Sequence, residues 1–458
     1  MIETCRSVAS FRDPAGFIFR RGDDLFRQVN KSCEQDFTRL TDSGLYDELV
    51  GADLLVPHEE VTEEAWQSEI AFRVIKPERL PYISYPYEWS FSQLKDAALL
   101  TLELQRRAIS RGMSLKDASA YNVQFRGGQP IFIDTLSFEV HHEGQPWAAY
   151  GQFCRHFLAP LALMAKVDIR LGELLRTNID GIPLDLASRL LPVSARLHLG
   201  LLLHLILHAK LQSSHSDKQA APPRKGFDRR SMLGMIESLE STVKGLVWKQ
   251  PRTEWAGYTS DNTYTKNARK HKHEIVSEYL DQVAPESVWD LGANTGEYSR
   301  LASSRGIQTV SFDIDPACVE RNYRAANEAN DRNLLPLLAD LTNPSPAAGW
   351  ASSERQSFAD RGPVDLVMAL ALVHHLAIVH NLPLSHIAEF FSQLCQSLII
   401  EFVPKDDPQV VRLLRGRVDI FDHYTRQDFE AAFRERFRIC RSATIVENGR
   451  ILYLMERI

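Results

Sequence analysis

Three aspartates carry the sharpest chemical signal in the chain. Asp290, Asp313 and Asp340 each lie at or near the end of a short apolar run: Val288-Trp-Asp-Leu-Gly, Gln308-Thr-Val-Ser-Phe-Asp and Asn333-Leu-Leu-Pro-Leu-Leu-Ala-Asp. The first run turns through Gly292-Ala293-Asn294-Thr-Gly296 into a helical pattern. Gly292 allows a tight turn, and Gly296 lets the following helix lie close to strand and ligand. Twenty-three residues after Asp290, Asp313 stands where a strand-end carboxylate accepts both hydroxyls of a ribose. Asp340 ends the third run, in reach of an adenine edge. The chemistry is therefore that of an adenosine cofactor. A dinucleotide asks for G-x-G-x-x-G, so that a helix N-terminus meets the pyrophosphate. Here the glycines are spaced G-x-x-x-G, and Asp290 would repel a pyrophosphate but suits the ammonium of a methionyl group.

The elements that must position these acids are short strands alternating with helices. Val364-Asp-Leu-Val-Met-Ala and Ser397-Leu-Ile-Ile-Glu-Phe supply a fourth and a fifth strand, and helical patterns separate all five, the signature of βαβ units in a parallel sheet. The ending differs. Asn448-Gly449 between Arg438–Val446 and Ile451–Glu456 predicts an antiparallel hairpin at the C-terminal end. Upstream, Ser213-Ser-His-Ser-Asp-Lys-Gln-Ala-Ala-Pro-Pro-Arg-Lys-Gly226 lacks apolar periodicity and reads as a linker. The expected domains are 1–212, a linker 213–230, a bridging helix within 231–249, and 250–458.

Asp290-Leu-Gly-Ala-Asn-Thr-Gly296, Asp313-Ile314-Asp-Pro and Ala339-Asp340-Leu341 resemble the first three motifs of class I S-adenosylmethionine-dependent methyltransferases. The resemblance covers about residues 250–458 and implies an α/β, Rossmann-like seven-stranded sheet with its last strand antiparallel. It assigns Asp290 and the Gly292–Gly296 turn to the methionine portion of S-adenosylmethionine, Asp313 to the ribose and Asp340 to adenine, with Ile314 and Leu341 also among the cofactor-binding residues. Asn294 departs from the glycine common there, but Asn tolerates a left-handed backbone. Methyl transfer from a sulfonium is an in-line displacement, in which a protein aligns the acceptor and, where needed, removes a proton. Ala369-Leu-Ala-Leu-Val-His374-His375-Leu resembles the H-H-L ending after the fourth strand of many small-molecule methyltransferases, offering His374 and His375 as bases. The competing reading is that one imidazole caps a helix and the other packs. Glu401 is expected at the end of the fifth strand, facing the acceptor, or else in a structural salt bridge. Trp255, Tyr258 and Tyr264 could lid the cofactor or pack in a core.

The N-terminal half holds a second constellation. Ser114-Leu-Lys-Asp117-Ala-Ser-Ala-Tyr-Asn122-Val-Gln-Phe, followed by Gln129-Pro-Ile-Phe-Ile-Asp134, resembles the catalytic and metal loops of kinase-like phosphotransferases. The resemblance implies an α+β kinase-like domain, with Asp117 as base and Asn122 and Asp134 as magnesium ligands. Departures are plain: no G-x-G-x-x-G loop precedes Asp117, and no V-A-I-K-like lysine is present. Within a hairpin over Gly16–Arg27, Arg27 stands in for that lysine, and Ser114 replaces the family's usual His. Weak or absent ATP binding follows, and with it a recognition arm that delivers an acceptor. Magnesium and ATP enter only if this domain is active. Together the halves resemble bacterial methyltransferases with an N-terminal kinase-like region, including the nodulation-associated NoeA-like group. That points to a small-molecule or glycan acceptor. The alternatives are a bifunctional kinase-methyltransferase, or an RNA or protein methyltransferase with a non-catalytic binding module.

Composition sets outer bounds. At 458 residues the chain is long enough for two or three domains. A net charge of −6 does not favour nucleic acid or an anionic membrane as partner. Six scattered cysteines, with no C-x-x-C pair, read as reduced thiols in a cytoplasmic protein without a zinc site. The apolar stretch Leu197–Leu211 falls short of the roughly 20 residues a membrane span needs and is expected to be a buried helix. His204 and His208, at i and i+4 within it, have metal-ligand spacing, but core packing is the simpler expectation. The sequence does not specify an oligomeric state.

Overall fold

The computed structural model describes residues 4–209, 228–249, 265–415 and 418–458. The 213–226 linker and the aromatic residues Trp255, Tyr258 and Tyr264 lie outside them. The chain folds into two compact units, one comprising Met1–Lys249 with Ala348–Arg355, the other Gln250–Ala347 with Gln356–Ile458.

In the first unit, β1 (Thr4–Arg6), β2 (Gly16–Arg21), β3 (Asp24–Asn30), β4 (His58–Val61) and β5 (Ala71–Pro77) form an antiparallel sheet in the order β1-β2-β3-β5-β4. The β2–β3 hairpin turns at Gly22, whose φ of +58° suits the first central position of a two-residue loop. Period-two alternation then buries Phe17, Phe19 and Phe26 together with Val74. The helix Phe91–Ser110 starts at a capping box: the Ser90 side chain accepts from Gln93 N at 3.4 Å, and the Gln93 side chain accepts from Ser90 N at 2.8 Å. Its buried positions Leu94, Ala97, Ala98, Thr101, Leu102, Gln105, Ala108 and Ile109 recur at helical spacing.

The bridging helix, Arg229–Gly245, belongs to this unit. Lys95 Nζ donates to the carbonyls of Lys244 and Leu246, each at 2.9 Å, and Arg106 pairs with Glu240. Four short strands complete the unit: β6 (Met113–Leu115), β7 (Val123–Arg126), β8 (Gln129–Phe132) and β9 (Phe138–Val140), pairing β6 with β9 and β7 with β8. Gly127 and Gly128, both at positive φ, close the β7–β8 hairpin.

The apolar stretch before the linker is a correction. Its described part, to Ala209, is largely helical, but Leu197, Leu199, Leu203 and Leu207 are exposed, so it presents a face to solvent. His204 makes hydrogen bonds through both ring nitrogens, to Tyr150 Oη and Ser238 Oγ at 2.9 Å each, and is a satisfied packing residue. No helix among the described residues is long and apolar enough to cross a membrane.

The second unit is one seven-stranded sheet: β10 (Ser287–Leu291), β11 (Gln308–Asp313), β12 (Leu334–Leu338), β13 (Val364–Ala369), β14 (Cys395–Phe402), β15 (Phe437–Thr444) and β16 (Ile451–Arg457). Their order is β12-β11-β10-β13-β14-β16-β15, with β10 to β14 parallel to one another and β16 antiparallel to both β14 and β15. The chain reverses its direction of travel across the sheet between β10 and β13. The crevice at their C-terminal ends is therefore the natural ligand position. The helix Lys266–Val283 covers one face with a stripe of Ala268, Lys272, Ile275, Val276, Tyr279 and Leu280. The closing hairpin forms, though its turn takes positive φ at Glu447 and Gly449 rather than at Asn448 and Gly449.

Candidate functional site

A cavity of about 410 Å³ opens at that crevice, within the roughly 300–1,000 Å³ of small-molecule sites. Gly292 and Asn294 line it from the turn after β10, and Asp313 and Ile314 from the end of β11. Ala339, Asp340, Leu341 and Thr342 follow β12, while Leu370–Leu372 and His375 follow β13.

Backbone geometry holds the turn open. Gly292 has φ +78°, Asn294 +51° and Gly296 +78°. Asn294 thus adopts the left-handed conformation that few other side chains tolerate. The amides of Gly292 and Ala293 both donate to the Phe312 carbonyl at 2.9 Å, and that of Asn294 donates to Asp313 Oδ2 at 2.7 Å. Asp313 Oδ1 accepts from Asp315 N at 2.8 Å, so one carboxylate fixes both the glycine turn and the start of the helix Pro316–Glu328. Burial pushes Asp313 up to about 6, against these backbone hydrogen bonds. Asp340 Oδ1 accepts from Thr342 N at 2.8 Å and Thr342 Oγ1 at 2.6 Å, which orients the carboxylate at the rim. Ile314 is 59% exposed, an apolar plate on the cavity wall.

The remaining residues expected at the cofactor lie behind this surface. Asp290 is buried and does not line the cavity; its Oδ2 accepts from Ser299 Oγ at 2.6 Å, and burial pushes it up to about 6. A strand-end acid has two faces to choose from, and Asp290 takes the one that anchors the next helix. Ala293 contributes its amide to the turn without lining the cavity. Gly296 also stays off the cavity surface, because its missing side chain makes room for Asn322.

The paired histidines separate. His375 lines the cavity, and burial, with His380 and Arg450 adding to it, lowers it to about 4, leaving a neutral imidazole at pH 7. His374 is fully buried, with its ring centroid 4.2 Å from that of His375 and neither nitrogen hydrogen-bonded. Consecutive positions entering a helical turn point in different directions, so one faces the cavity and the other packs.

Glu401 requires a correction. It does not face the cavity; it is fully buried in β14, with Oε2 2.6 Å from Lys272 Nζ and Oε1 3.5 Å from Arg450 Nη1. Arg450 in turn holds Asp407, Nε to Oδ2 at 2.7 Å and Nη2 to Oδ1 at 3.1 Å. Two buried cations and two buried anions meet here, so Glu401 has the salt-bridge role. Sequence reasoning passed over Lys272, Asp407 and Arg450, and also the cavity residues Val379, His380 and Leu413. Lys272 had a usable signal, since it sits on the apolar stripe of its helix. Leu413 has none, because only the return of the helix Pro408–Leu414 brings it to the wall.

In the first unit, Asp117, Asn122 and Asp134 do come together, from the loop after β6, the start of β7 and the end of β8. Asp117 Oδ1 accepts from Ser119 N at 2.9 Å and Gln152 Nε2 at 2.8 Å, and Asn122 also bonds this carboxylate. Asn122 Nδ2 donates to Ser137 Oγ at 3.2 Å, and Ser137 Oγ donates to Asp134 Oδ2 at 2.7 Å. Arg27 Nη1 sits 2.5 Å from Asp134 Oδ1. The segment Ala348–Arg355 is part of this unit: Glu354 receives Arg12 at 2.6 and 2.8 Å, and Arg355 lies over the Tyr121 ring at 4.2 Å.

No protein-family model matches the chain. Among solved structures it resembles the bifunctional kinase-methyltransferase WbdD (15% identity, 44% of this chain and 41% of that one, TM-score 0.32). It also resembles magnesium protoporphyrin IX methyltransferase from Synechocystis PCC 6803 (20% identity, 43% and 88%, TM-score 0.31). A third is the N-methyltransferase NodS from Bradyrhizobium japonicum WM9 (9% identity, 42% and 97%, TM-score 0.31). The WbdD match spans less than half of either chain. Across its length the chain is 38% identical to nodulation protein NoeA of Rhizobium meliloti (strain 1021), over 99% of this chain and 96% of the relative. With that degree of identity over nearly the whole of both chains, this protein belongs to the NoeA family of nodulation proteins.

Proposed function

We propose that the second unit binds S-adenosylmethionine in the cavity at the β10–β13 crevice and transfers its methyl group to a small-molecule or glycan-type acceptor. The observation that carries the proposal is the convergence of Asp313, Asp340 and the Gly292–Asn294 turn on one cavity at the switch point of the sheet. The residues suit the cofactor. Asp313 is the hydroxyl acceptor for the ribose, Asp340 accepts from the adenine edge, and Ile314 and Leu341 offer apolar contact to the base. Bound there, the cofactor supplies an electrophilic methyl group on sulfur. His375 presents a neutral imidazole to the same space, able to accept a hydrogen bond from an acceptor hydroxyl or amine. With its pKa near 4 it orients more effectively than it deprotonates. We assign the first unit a recognition role, and the acceptor class follows the relative's connection to nodulation. Six unpaired cysteines accord with a cytoplasmic setting.

Calorimetric titration of the full chain with S-adenosylmethionine tests the reading. Asp313→Ala is expected to cost about 1–3 kcal/mol of binding through the loss of hydroxyl hydrogen bonds. Equal affinity of wild type and variant, or no heat in either, overturns it.

The raised pKa gives a second check. The carboxylate of Asp313 accepts from both ribose hydroxyls, whereas the acid keeps only part of that acceptor capacity, so affinity is expected to fall as pH drops below about 6. His375, near 4, stays neutral through that range. Asp290 titrates in the same window, so Asp313→Asn assigns the slope: a flat profile in the variant is expected, and an unchanged slope places the titration elsewhere. Stability carries the opposite sign. Both acids bind protons more readily folded than unfolded between about 3.8 and 6, so their stabilising contribution is present at low pH and lost as pH rises through 6.

A further inference from the structure

The polar site of the first unit resembles a magnesium-nucleotide site in residue type, but its charges are arranged differently. In a magnesium site, the acid after the second strand offers its oxygens to the ion, with one or two carboxylates and phosphate oxygens completing an octahedron. Here both oxygens of Asp134 are already engaged. Oδ1 takes the Arg27 guanidinium at 2.5 Å and Leu136 N at 3.0 Å, while Oδ2 takes Ser137 Oγ at 2.7 Å. At 2.5 Å the Arg27 guanidinium is the direct partner of the Asp134 carboxylate. Arg27 reaches a second acid too, Asp13 Oδ2 at 3.6 Å, and its side chain is only 13% exposed. Asp117 Oδ1 is likewise engaged, by Ser119 N at 2.9 Å and Gln152 Nε2 at 2.8 Å. Among the described residues, no three His, Cys, Asp or Glu side chains converge to hold a metal ion.

We propose that this site carries its own cation: the Arg27 guanidinium occupies the electrostatic position of magnesium, and the unit takes up no magnesium nucleotide. A guanidinium cannot be deprotonated to make way, and a divalent ion beside it would face direct repulsion while stripping a buried arginine of its partner. The site thus keeps the polar framework of a phosphotransferase without a place for the phosphates' counter-ion.

The inference rests on the kinase resemblance and is independent of methyl transfer, because Asp313 and its cavity belong to the other unit. The test uses the full chain, with thermal shift against millimolar Mg-ATP and paramagnetic titration with Mn²⁺. S-adenosylmethionine is titrated into the same samples, so that failure of the methyl-transfer reading registers separately. The wild type is expected to show no shift with Mg-ATP and no specific Mn²⁺ site. Arg27→Gln, which leaves Asp134 with an unopposed charge, is expected to bind Mn²⁺ at least about tenfold more tightly than wild type, and Asp134→Asn in that background removes the gain. Stabilisation of the wild type by Mg-ATP that vanishes in Asp134→Asn overturns the proposal, and this arm holds even if Arg27→Gln fails to fold. A folded Arg27→Gln chain that gains no Mn²⁺ affinity also overturns it.

Discussion

Glu401→Ala is expected to lower the stability of the second unit by about 3–5 kcal/mol, the cost of breaking a buried ion pair from one side. The side chains of Glu401, Lys272, Arg450 and Asp407 are all at most 4% exposed. Removing Glu401 takes a carboxylate from between two buried cations. Lys272 is already lowered by burial, with Glu401 as the main opposing influence, so its ammonium loses the group that keeps it charged. For a unit of this size each kcal/mol moves the melting point by about 2–4 °C, giving a drop of about 6–20 °C in a thermal scan. Adding Lys272→Met to Glu401→Met should recover part of the loss, because the pair is then replaced by apolar volume rather than orphaned. A melting point for Glu401→Ala within 2 °C or so of wild type would show that the cluster is solvated and the argument wrong.

Gly296→Ala is expected to damage stability and cofactor binding together. A Cβ at Gly296 would stand 2.2 Å from Asn322 Oδ1 and 2.5 Å from its Nδ2. Asn322 has no room to swing away: it is buried, donates to Ser311 Oγ at 2.9 Å, and accepts from Arg300 Nη2 at 2.9 Å. Overpacking of about 1–3 kcal/mol adds to a cost of the same order for a non-glycine residue at φ +78°. The turn that carries Gly292 and Asn294 must shift to relieve the clash, so S-adenosylmethionine affinity falls with the melting point. Gly292→Ala makes the useful contrast. Its nearest contact would be Leu372 Cδ1 at 3.3 Å, a movable side-chain end, so it should carry the same backbone cost at φ +78° without the overpacking, and lose affinity by intruding on the cavity it lines. Equal melting points for the two variants would refute this distinction.

Much of the second unit was legible because its strands are short apolar runs bounded by turn residues, and because alternation with helices leaves few topologies. The five runs and the two strands of the closing hairpin fall where β10 to β16 lie, to within two residues at each end. Which way a side chain turns at a strand end is less legible. Asp290 and Asp313 both follow apolar strands, yet one anchors a helix through Ser299 and the other lines the cavity. Glu401 misleads for a related reason. It pairs in register with Leu452, inside the strand rather than beyond it, and its partner is a lysine drawn from a helix 129 residues upstream. That lysine could have been noticed, since a charge on the stripe Ala268, Ile275, Val276, Tyr279 must find a counter-charge in the core. Arg450 carries no such mark: it sits beside an Asn-Gly turn, where a charged residue ordinarily points to solvent. In the first unit, the local hairpin over Gly16–Arg27 was readable, but the pairing of Arg27 with Asp134 depends on a contact across 107 residues.

The membership of Ala348–Arg355 in the first unit bears on how the protein comes off the ribosome. Arg12 is among the first residues made, and its partner Glu354 is 342 positions later. The 98 residues from Gln250 to Ala347 must be synthesised after Lys249 before that segment exists, which at about 5–20 residues per second is about 5–20 s of waiting. The N-terminal unit therefore cannot finish folding in the order in which it is translated. Until Glu354 emerges, Arg12 lacks its carboxylate and Tyr121 its guanidinium cover, while most of the rest of the unit is already outside the tunnel.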